Sequence, residues 1–373
     1  MKRIFPLIII LLFSCQKEEL VDLSLKAELE NVIESAFKQY QMPGLAYLAV
    51  KNDSVVISEG IGYANVMEKM PFTPQTRMII ASISKTIIAT AIMQLVEKGS
   101  IDLDADINQY LPFSVRNPRY PKEPITTRML LTHTSSISDG GYIYELYLYG
   151  FTDYPVSLLS FEKEYLSKNG QYYSQVNYSK FKPNSNYEYS NVAAALAACL
   201  VEQVSGVNFN DYCKVYVFQP LGMSKTTWFF SETPKSEIAI PYSDLNNMNP
   251  DKSFYSYPTY PDGHLITTTE DLSKFMRAYI MDGTFNGYQL LQQSSVDTIL
   301  SIQFETESEK QGLIFYHLEN SQFSVWGHNG GDPGVSTEMY FDKTKKVGYI
   351  MFTNRSDAYP KSLRNALLQF ANQ

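Results

Sequence analysis

The stretch from Ile79 to Gly99 contains a serine and a lysine whose spacing suits nucleophilic catalysis. Ser82 and Lys85 are three residues apart, so a helix places them on one face, one turn from each other. A lysine buried without a counter-charge is expected to lose its proton, because burying an unpaired ammonium is costly. A neutral amine beside a hydroxyl can take the hydroxyl proton. The pair therefore predicts a nucleophile, Ser82, with Lys85 as its base.

The spacing alone does not single out this pair. Ser-x-x-Lys occurs three times, as Ser82/Lys85, Ser160/Lys163 and Ser179/Lys182. The first copy differs in its surroundings, because no charge lies between Lys85 and Glu97 and apolar residues fall on every side of the helical wheel. Such a helix is typical of a buried position, whereas the other two copies lie in polar, tyrosine-rich sequence. The context therefore favours Ser82.

The composition excludes some classes of function. The chain has 373 residues, of which 44% are hydrophobic and 19% charged, as in soluble globular proteins with one large or two modest domains. The net charge is -8 and no basic run occurs, which argues against a nucleic-acid partner. The 4 histidines are scattered without ligand spacing, so we expect no metal site and no cofactor.

The first residues have the pattern of an export signal. Lys2 and Arg3 precede an apolar run, residues 4–13, that is too short to span a bilayer. The run ends in Leu-Phe-Ser-Cys, which resembles the lipobox of bacterial lipoproteins. The resemblance implies a signal peptide at 1–14, a lipidated Cys15, a tether at 15–23 and an outer-membrane location, on the periplasmic or cell-surface face. An ordinary secretory signal with an incidental cysteine is the alternative.

Strand patterns occur near both ends of the chain, and helical patterns dominate the middle. Residues 45–50 and 55–58 read as a β-hairpin, and residues 323–326, 336–341 and 346–352 as later strands. We therefore predict a sheet domain formed by residues 24–105 and 225–373, with a mainly helical domain, 106–224, inserted. Two questions stay open: whether the tyrosines of 141–189 pack the insert or cover a cleft, and whether Cys199 pairs with Cys213.

Two further motifs follow Ser82 in order. They are Tyr189-Ser190-Asn191, at the start of an alanine-rich helix, and His328-Asn329-Gly330, on a predicted strand. With matching flanks over residues 25–370, the three motifs resemble the serine β-lactamase and penicillin-binding-protein-like superfamily, especially its class C-like serine hydrolase branch. The resemblance implies an α/β (α+β) fold, in which an antiparallel sheet is flanked by N- and C-terminal helices and an all-helical domain is inserted.

The resemblance also implies roles for the motif residues. Ser82 would be acylated with Lys85 as its base, and Tyr189, as a phenolate or a proton relay, would serve the leaving group or the deacylating water. Asn191 would orient the substrate amide, and His328 would help to bind substrate and hold Tyr189. In the third motif, Gly330 and Gly331 would contribute to substrate binding, with the backbone N–H groups of Ser82 and Gly331 as the oxyanion hole.

One departure from the family pattern bears on the substrate. His328 stands where the family has a lysine that binds the carboxylate of a β-lactam or peptide. The resemblance with this change implies an esterase or D-amino-acid peptidase-like enzyme acting on a small-molecule or peptide substrate. The alternatives are a true class C-like β-lactamase and a non-turnover surface lipoprotein that uses the fold to bind ligands. The oligomeric state cannot be read from the sequence.

A Cys15→Ser substitution tests the predicted lipid anchor. If Cys15 is lipidated, the wild-type protein partitions into the detergent phase, whereas the variant moves to the aqueous phase or is not processed. The measurement is detergent phase separation followed by immunoblotting. Equal partitioning of both forms would leave only an ordinary secretory signal.

Overall fold

The computed structural model describes the backbone of residues 8–141, 146–243 and 253–373, and the side chains from residue 24 onward. The side chain of Cys15 and most of the signal peptide predicted at 1–14 lie outside the described residues. The predicted tether, 15–23, falls within the first helix.

The described chain contains runs of strands near both ends and helices between them. The helices are α1 (Ile8–Gln39), α2 (Lys85–Glu97), α3 (Thr127–Leu131), α4 (Leu158–Leu166), α5 (Asn191–Ser205), α6 (Phe209–Cys213), α7 (Thr269–Ile280), α8 (Gln293–Ile299) and α9 (Lys361–Ala371). The longer strands are β1 (Gly44–Lys51), β2 (Ser54–Asn65), β12 (Tyr316–Glu319), β13 (Ser324–Asp332), β14 (Val335–Asp342) and β15 (Val347–Thr353). The two-residue strands are β3 (Met70–Pro71), β4 (Met78–Ile79), β5 (Leu148–Tyr149), β6 (Tyr255–Ser256), β7 (Ile266–Thr267), β8 (Thr284–Phe285), β9 (Tyr288–Gln289), β10 (Phe304–Glu305) and β11 (Lys310–Gln311).

The main sheet joins the two ends of the chain. Among the described residues its strand order is β10-β11-β12-β13-β14-β15-β1-β2-β3, and each neighbouring pair is antiparallel. β1 pairs with β15, with Leu45 opposite Thr353, so the first long strand lies beside the last. The predicted fold class, an antiparallel sheet built from distant segments and flanked by helices, is confirmed.

Both faces of the sheet are covered, because the side chains of each strand alternate. In β1, Leu45, Tyr47 and Ala49 belong to the core that includes apolar residues of α1 and α9. The alternate residues of the same strand belong to the core that includes residues of α2, α5 and α7. As predicted, helices from both termini pack on one face, and the buried helix α2 lies on the other side of the sheet.

The described middle of the chain is mainly helical. Helix α5 is buried along most of its length, and both α2 and α5 are followed by a glycine in the left-handed region, Gly99 at φ 69° and Gly206 at φ 73°, a conformation that glycine adopts at little cost. Cys199 and Cys213 are buried free thiols. The domain boundaries at 105/106 and 224/225 stay predictions.

No single helix in the part of the chain that the structure describes is long and apolar enough to cross a bilayer. One sharply bent pair, Asn191–Ser205 with Phe209–Phe218, passes the same test on length and composition alone.

A buried ion pair attaches the last helix to the sheet. Arg364 of α9 donates to the carboxylate of Glu338 in β14, whose side chain is 1% exposed, and the Tyr349 hydroxyl donates to the same carboxylate at 2.9 Å. An ion pair on α1, Lys38 with Glu34, is exposed instead. The two pairs differ in burial, which governs the cost of removing one partner.

Arg364→Ala should therefore lower the free energy of unfolding by about 3–5 kcal/mol, because it leaves the Glu338 carboxylate buried without a cation. Lys38→Ala, the matched control, should cost no more than about 1 kcal/mol. Urea unfolding of both variants measures the difference. Similar losses for the two would show that the buried pair does not hold α9 on the sheet.

Candidate active site

A strained turn presents Ser82. After β4, residues Ala81–Ser84 form a 3₁₀ turn that leads into α2, and Ala81 has a φ of 48°. This left-handed conformation costs a non-glycine residue roughly 1–2 kcal/mol. Neighbouring contacts maintain it: the Thr337 hydroxyl donates to the Ile80 carbonyl at 2.7 Å. A Cβ on Gly330 would lie 2.2 Å from the same carbonyl oxygen, so only glycine lets β13 approach the turn this closely.

The ammonium of Lys85 is buried and fully hydrogen-bonded. Its Nζ donates to Ser82 Oγ at 3.0 Å, to Asn191 Oδ1 at 2.7 Å and to the backbone carbonyl of Asp262 at 2.7 Å. An ammonium has three N–H groups, so these acceptors use all of them. Asp262 Oδ1 lies a further 3.9 Å from Nζ. The lysine therefore links the serine turn, the start of α5 and the loop around residue 262.

The expectation that Lys85 is neutral is wrong. Burial acts to lower the pKa of Lys85, but the interactions with nearby Tyr189 and Asp262 outweigh it and raise the pKa above its usual value. Three acceptors and a nearby carboxylate stabilise the charged form. The sequence reasoning treated the helix as purely apolar, and these partners come from residues 106 and 177 positions further along the chain.

Tyr189 lies beside this ammonium at the start of α5. Lys85 Nζ is 5.1 Å from the centre of its ring, and the ring of His133 packs against it at 4.3 Å between centroids. Asp139 holds the helix start, because its carboxylate accepts from Ser190 Oγ and Asn191 N, each at 2.7 Å. Burial raises the pKa of Asp139. Sequence reasoning missed this carboxylate, which no motif spacing connects to residues 51 and 52 positions away.

A cavity of about 140 Å³ lies over Ser82. The described residues that line it are Ala81, Ser82, Tyr147, Tyr189, Asn191, Tyr257, Asp262, Gly263, Gly331 and Asp332. The structure thus brings together four of the predicted site residues: Ser82, Tyr189, Asn191 and Gly331. Lys85 lies against Ser82, as the motif predicts.

Two carboxyl groups and two tyrosines in this lining were missed from the sequence. Asp262 and Asp332 both occur within matched flanks, two residues before His264 and directly after Gly331. An ionisable residue next to a motif glycine was the available signal. Tyr147 comes from the tyrosine-rich segment, where other rings, Tyr165 and Tyr178, are buried in the core. The described tyrosines there serve both packing and the cavity wall.

The other two Ser-x-x-Lys copies have different surroundings. Ser160 is exposed near the start of α4 and its Oγ accepts from Ser157, while Lys182 pairs with Glu123 at 3.0 Å on the surface. Neither pair has a serine–lysine hydrogen bond among the described contacts. The context that favoured Ser82 in the sequence agrees with this geometry.

Comparison with known proteins places the chain in a family. The profile of the Beta-lactamase family matches residues 29–372. The chain belongs to this family.

The individual relatives are distant. The chain is 24% identical over 353 residues to Protein flp of Staphylococcus aureus, an alignment that covers 92% of this chain. It spans 66% of the length of that relative. One similar solved structure is EstCE1, a hydrolase with promiscuous acyltransferase activity. Its TM-score is 0.74 at 19% identity, and the alignment covers 94% of this chain and 100% of the EstCE1 chain.

D-amino acid amidase from Ochrobactrum anthropi SV3 is a second structural neighbour. Its TM-score is 0.72 at 21% identity, over 92% of this chain and 98% of the amidase. At these identities the two solved structures show that the fold is shared. The Beta-lactamase profile supplies the family assignment, and the site residues above are described from this chain alone.

His328 and Gly330 of the third motif do not line the cavity among the described residues. His328 is 2% exposed, and its ring lies 4.6 Å from that of Tyr316 and 6.3 Å from that of Tyr189. Its Nδ1 lies against the carbonyl of Asn329. Gly330 instead packs against the serine turn. The structure therefore places His328 near Tyr189, as expected, but apart from the cavity where the sequence predicts substrate contact.

The ionisation of His328 also differs from that of an ordinary imidazole. Burial, and then the charge of Lys85, lower the pKa of His328 to about 3. Burial likewise lowers the pKa values of His133 and His264. The described residues contain no cluster of three or more His, Cys, Asp or Glu arranged as metal ligands.

The lowered pKa makes His328 insensitive to pH in the physiological range. A group with a pKa of about 3 stays neutral as pH falls from 8 to 5, because protonation begins only near its own pKa. The imidazole NMR signal of His328 should therefore show no titration over that range. The signal of half-buried His317 should begin to shift at a higher pH than that of His328. His328→Gln assigns the signal. A His328 midpoint near 6.5 would contradict the burial argument.

Proposed function

We propose that the protein is a serine hydrolase that forms an acyl-enzyme on Ser82 and cleaves an ester or amide bond. The observation that carries the proposal is the hydrogen bond of 3.0 Å between the buried Lys85 ammonium and Ser82 Oγ, at the wall of a cavity. A positive charge held against the hydroxyl oxygen stabilises the alkoxide that forms when the proton leaves. Membership in the Beta-lactamase family supports this reaction class.

The roles in the proposed reaction follow from charge. Because Lys85 is charged in the free protein, another group must take the Ser82 proton, and Tyr189 lines the cavity next to the ammonium. As the Ser82 oxygen bonds to the substrate carbonyl carbon, the Tyr189 oxygen takes the Ser82 proton while its own hydroxyl proton passes to the leaving alcohol or amine. Water then cleaves the acyl ester and restores the Ser82 hydroxyl. Lys85 thus acts as a fixed positive charge that stabilises the negative charge developing on the Ser82 oxygen.

The carbonyl oxygen needs its own donors during this reaction. Ser82 and Gly331 both line the cavity, and their backbone N–H groups are the proposed oxyanion hole. A Cβ on Gly331 would lie 2.5 Å from the Tyr359 hydroxyl, so a larger residue would disturb this wall. Asn191 is already bonded to Lys85 through Oδ1, which leaves its amide N–H₂ group as the part that can orient a substrate.

The charges around the cavity favour an ester or amide over a β-lactam. A β-lactam antibiotic carries a carboxylate, which needs a charged or multiply hydrogen-bonded partner when it leaves water. His328 is neutral and apart from the cavity, and the described lining contains the carboxyl groups of Asp262 and Asp332 but no Arg or Lys. The described activities of the two structural neighbours, a hydrolase and an amidase, are consistent with this preference.

The site of action is also part of the proposal. We propose that a lipid on Cys15 anchors the enzyme to the outer membrane, with the catalytic fold exposed to the periplasm or the cell surface. This part rests on the N-terminal sequence alone.

Fluorophosphonate labelling and ester turnover test the proposal together. The probe should modify one serine, and Ser82→Ala should abolish both labelling and hydrolysis of p-nitrophenyl acetate. Lys85→Ala should reduce kcat/KM by on the order of 10²–10⁴-fold, because the alkoxide loses its fixed positive charge. Peptide mass spectrometry locates the adduct.

Ser160→Ala and Ser179→Ala are the matched controls, since both serines stand in the same tetrad and should keep full labelling. An adduct on either of them would overturn the assignment of the nucleophile. A folded wild-type protein that is neither labelled nor active would favour the ligand-binding alternative. Faster turnover of a cephalosporin than of neutral esters would favour the β-lactamase.

A further inference from the structure

A tyrosine positions the carboxyl group of Asp332 at the cavity. Asp332 is the last residue of β13 and lines the same cavity as Ser82. The Tyr147 hydroxyl donates to its Oδ1 at 2.9 Å. The Tyr147 ring in turn packs against Tyr257 and Tyr255, at 4.8 Å and 5.3 Å between centroids. The carboxyl group therefore has a defined position on a rigid strand and an aromatic wall.

Asp262 supplies a second carboxyl group with an unused acceptor. The residue lines the cavity and is 5% exposed, and its Oδ2 atom is buried without a hydrogen-bond partner among the described residues. A buried acceptor without a donor is unfavourable. Lys85, 3.9 Å from Oδ1, cannot supply the donor, because its three N–H groups are already bound. A donor arriving with a ligand would satisfy this oxygen.

The two carboxyl groups make the cavity a site for positive charge. Burial raises the pKa of Asp332 to about 7 and that of Asp262 to about 6, so both titrate near neutral pH and a bound cation would favour their ionised forms. The faces of Tyr147 and Tyr257 attract cations as well. The volume, about 140 Å³, has room for only a small group.

We propose that Asp332, with Asp262, binds a protonated amino group on the acyl part of the substrate, so that the enzyme acts on aminoacyl esters or amides with a free amine. The inference rests on the proposed acyl-enzyme on Ser82 and specifies its substrate class. An ammonium there gives Asp332 a charge-assisted hydrogen bond and supplies the missing donor to Asp262 Oδ2. Both carboxyl groups would contact the amine, but Asp262 also contacts the catalytic lysine. Asp332 is therefore the residue that determines specificity.

Matched substrates isolate the effect of the amine. Alanine p-nitroanilide, as each enantiomer, is compared with propionyl p-nitroanilide, which lacks only the amino group. At pH 7.5 the wild-type kcat/KM should be at least about tenfold higher for one amine enantiomer. In Asp332→Asn this ratio should fall by on the order of 10- to 100-fold, as expected for the loss of a charged hydrogen-bond partner. Asp332→Glu should restore part of it.

Asp297→Asn is the control, because it removes the same charge from an exposed position in α8 and should leave the ratio and the activity unchanged. Equal wild-type rates on amine and des-amino substrates would overturn the proposal even if Asp332→Asn failed to fold. An Asp332→Asn variant that slows both substrates equally would also overturn it, since Asp332 would then act in catalysis. Failure of the proposed function is distinct: it would show as no turnover of any substrate.

Discussion

The buried ammonium of Lys85 is the interaction on which the rest of the site depends. A charge removed from water must be paired and hydrogen-bonded, or it destabilises the fold. Lys85 meets this requirement with Ser82, Asn191 and the Asp262 carbonyl. Each acceptor belongs to a different part of the chain. The same three bonds that stabilise the lysine therefore set the relative positions of the nucleophile, the start of α5 and the 262 loop.

The sheet places the remaining parts of the site around that lysine. β13 passes the serine turn so closely that Gly330 has no room for a side chain, and Ala81 keeps a left-handed φ of 48° beside it. Because strand residues alternate between faces, Gly330 packs against the turn while its neighbour Gly331 reaches the cavity. Asp332 follows at the end of the same strand. Close packing of glycine thus brings Gly331, whose N–H is proposed for the oxyanion hole, and the carboxyl group of Asp332 to the cavity over Ser82.

The motifs predicted the part of the site that is local in sequence. Ser82 and Lys85 share a helical turn, and Tyr189 and Asn191 share a helix start, so spacing was enough to identify them. Asp139, Asp262 and Asp332 could not be assigned in this way, because they lie on loops and strand ends that only the tertiary fold brings near Lys85. The pKa of Lys85 was predicted in the wrong direction for the same reason: the charges that raise it come from distant segments.

The fold was easier to predict than the chemistry of its residues. Alternating apolar residues near both ends of the chain indicated a sheet from distant segments, and the uncharged helix after Lys85 indicated a buried position. His328 shows the limit of a motif match. Its position on a strand was predicted, but its burial and its distance from the cavity depend on Tyr316 and Tyr189, which pack around it. The pKa of a histidine cannot be predicted from its residue type alone, because burial and neighbouring charges shift it.

The protonation state of Lys85 tests the account most directly. Lysine labelled at Cε with ¹³C, assigned with Lys85→Arg, reports its own ionisation by NMR in the free enzyme. Lys85 is expected to be an ammonium throughout the neutral pH range, since nearby acidic groups raise its pKa above the usual value. A Lys85 signal that titrates between pH 7 and pH 8 would contradict it and would restore the neutral lysine as the base that activates Ser82.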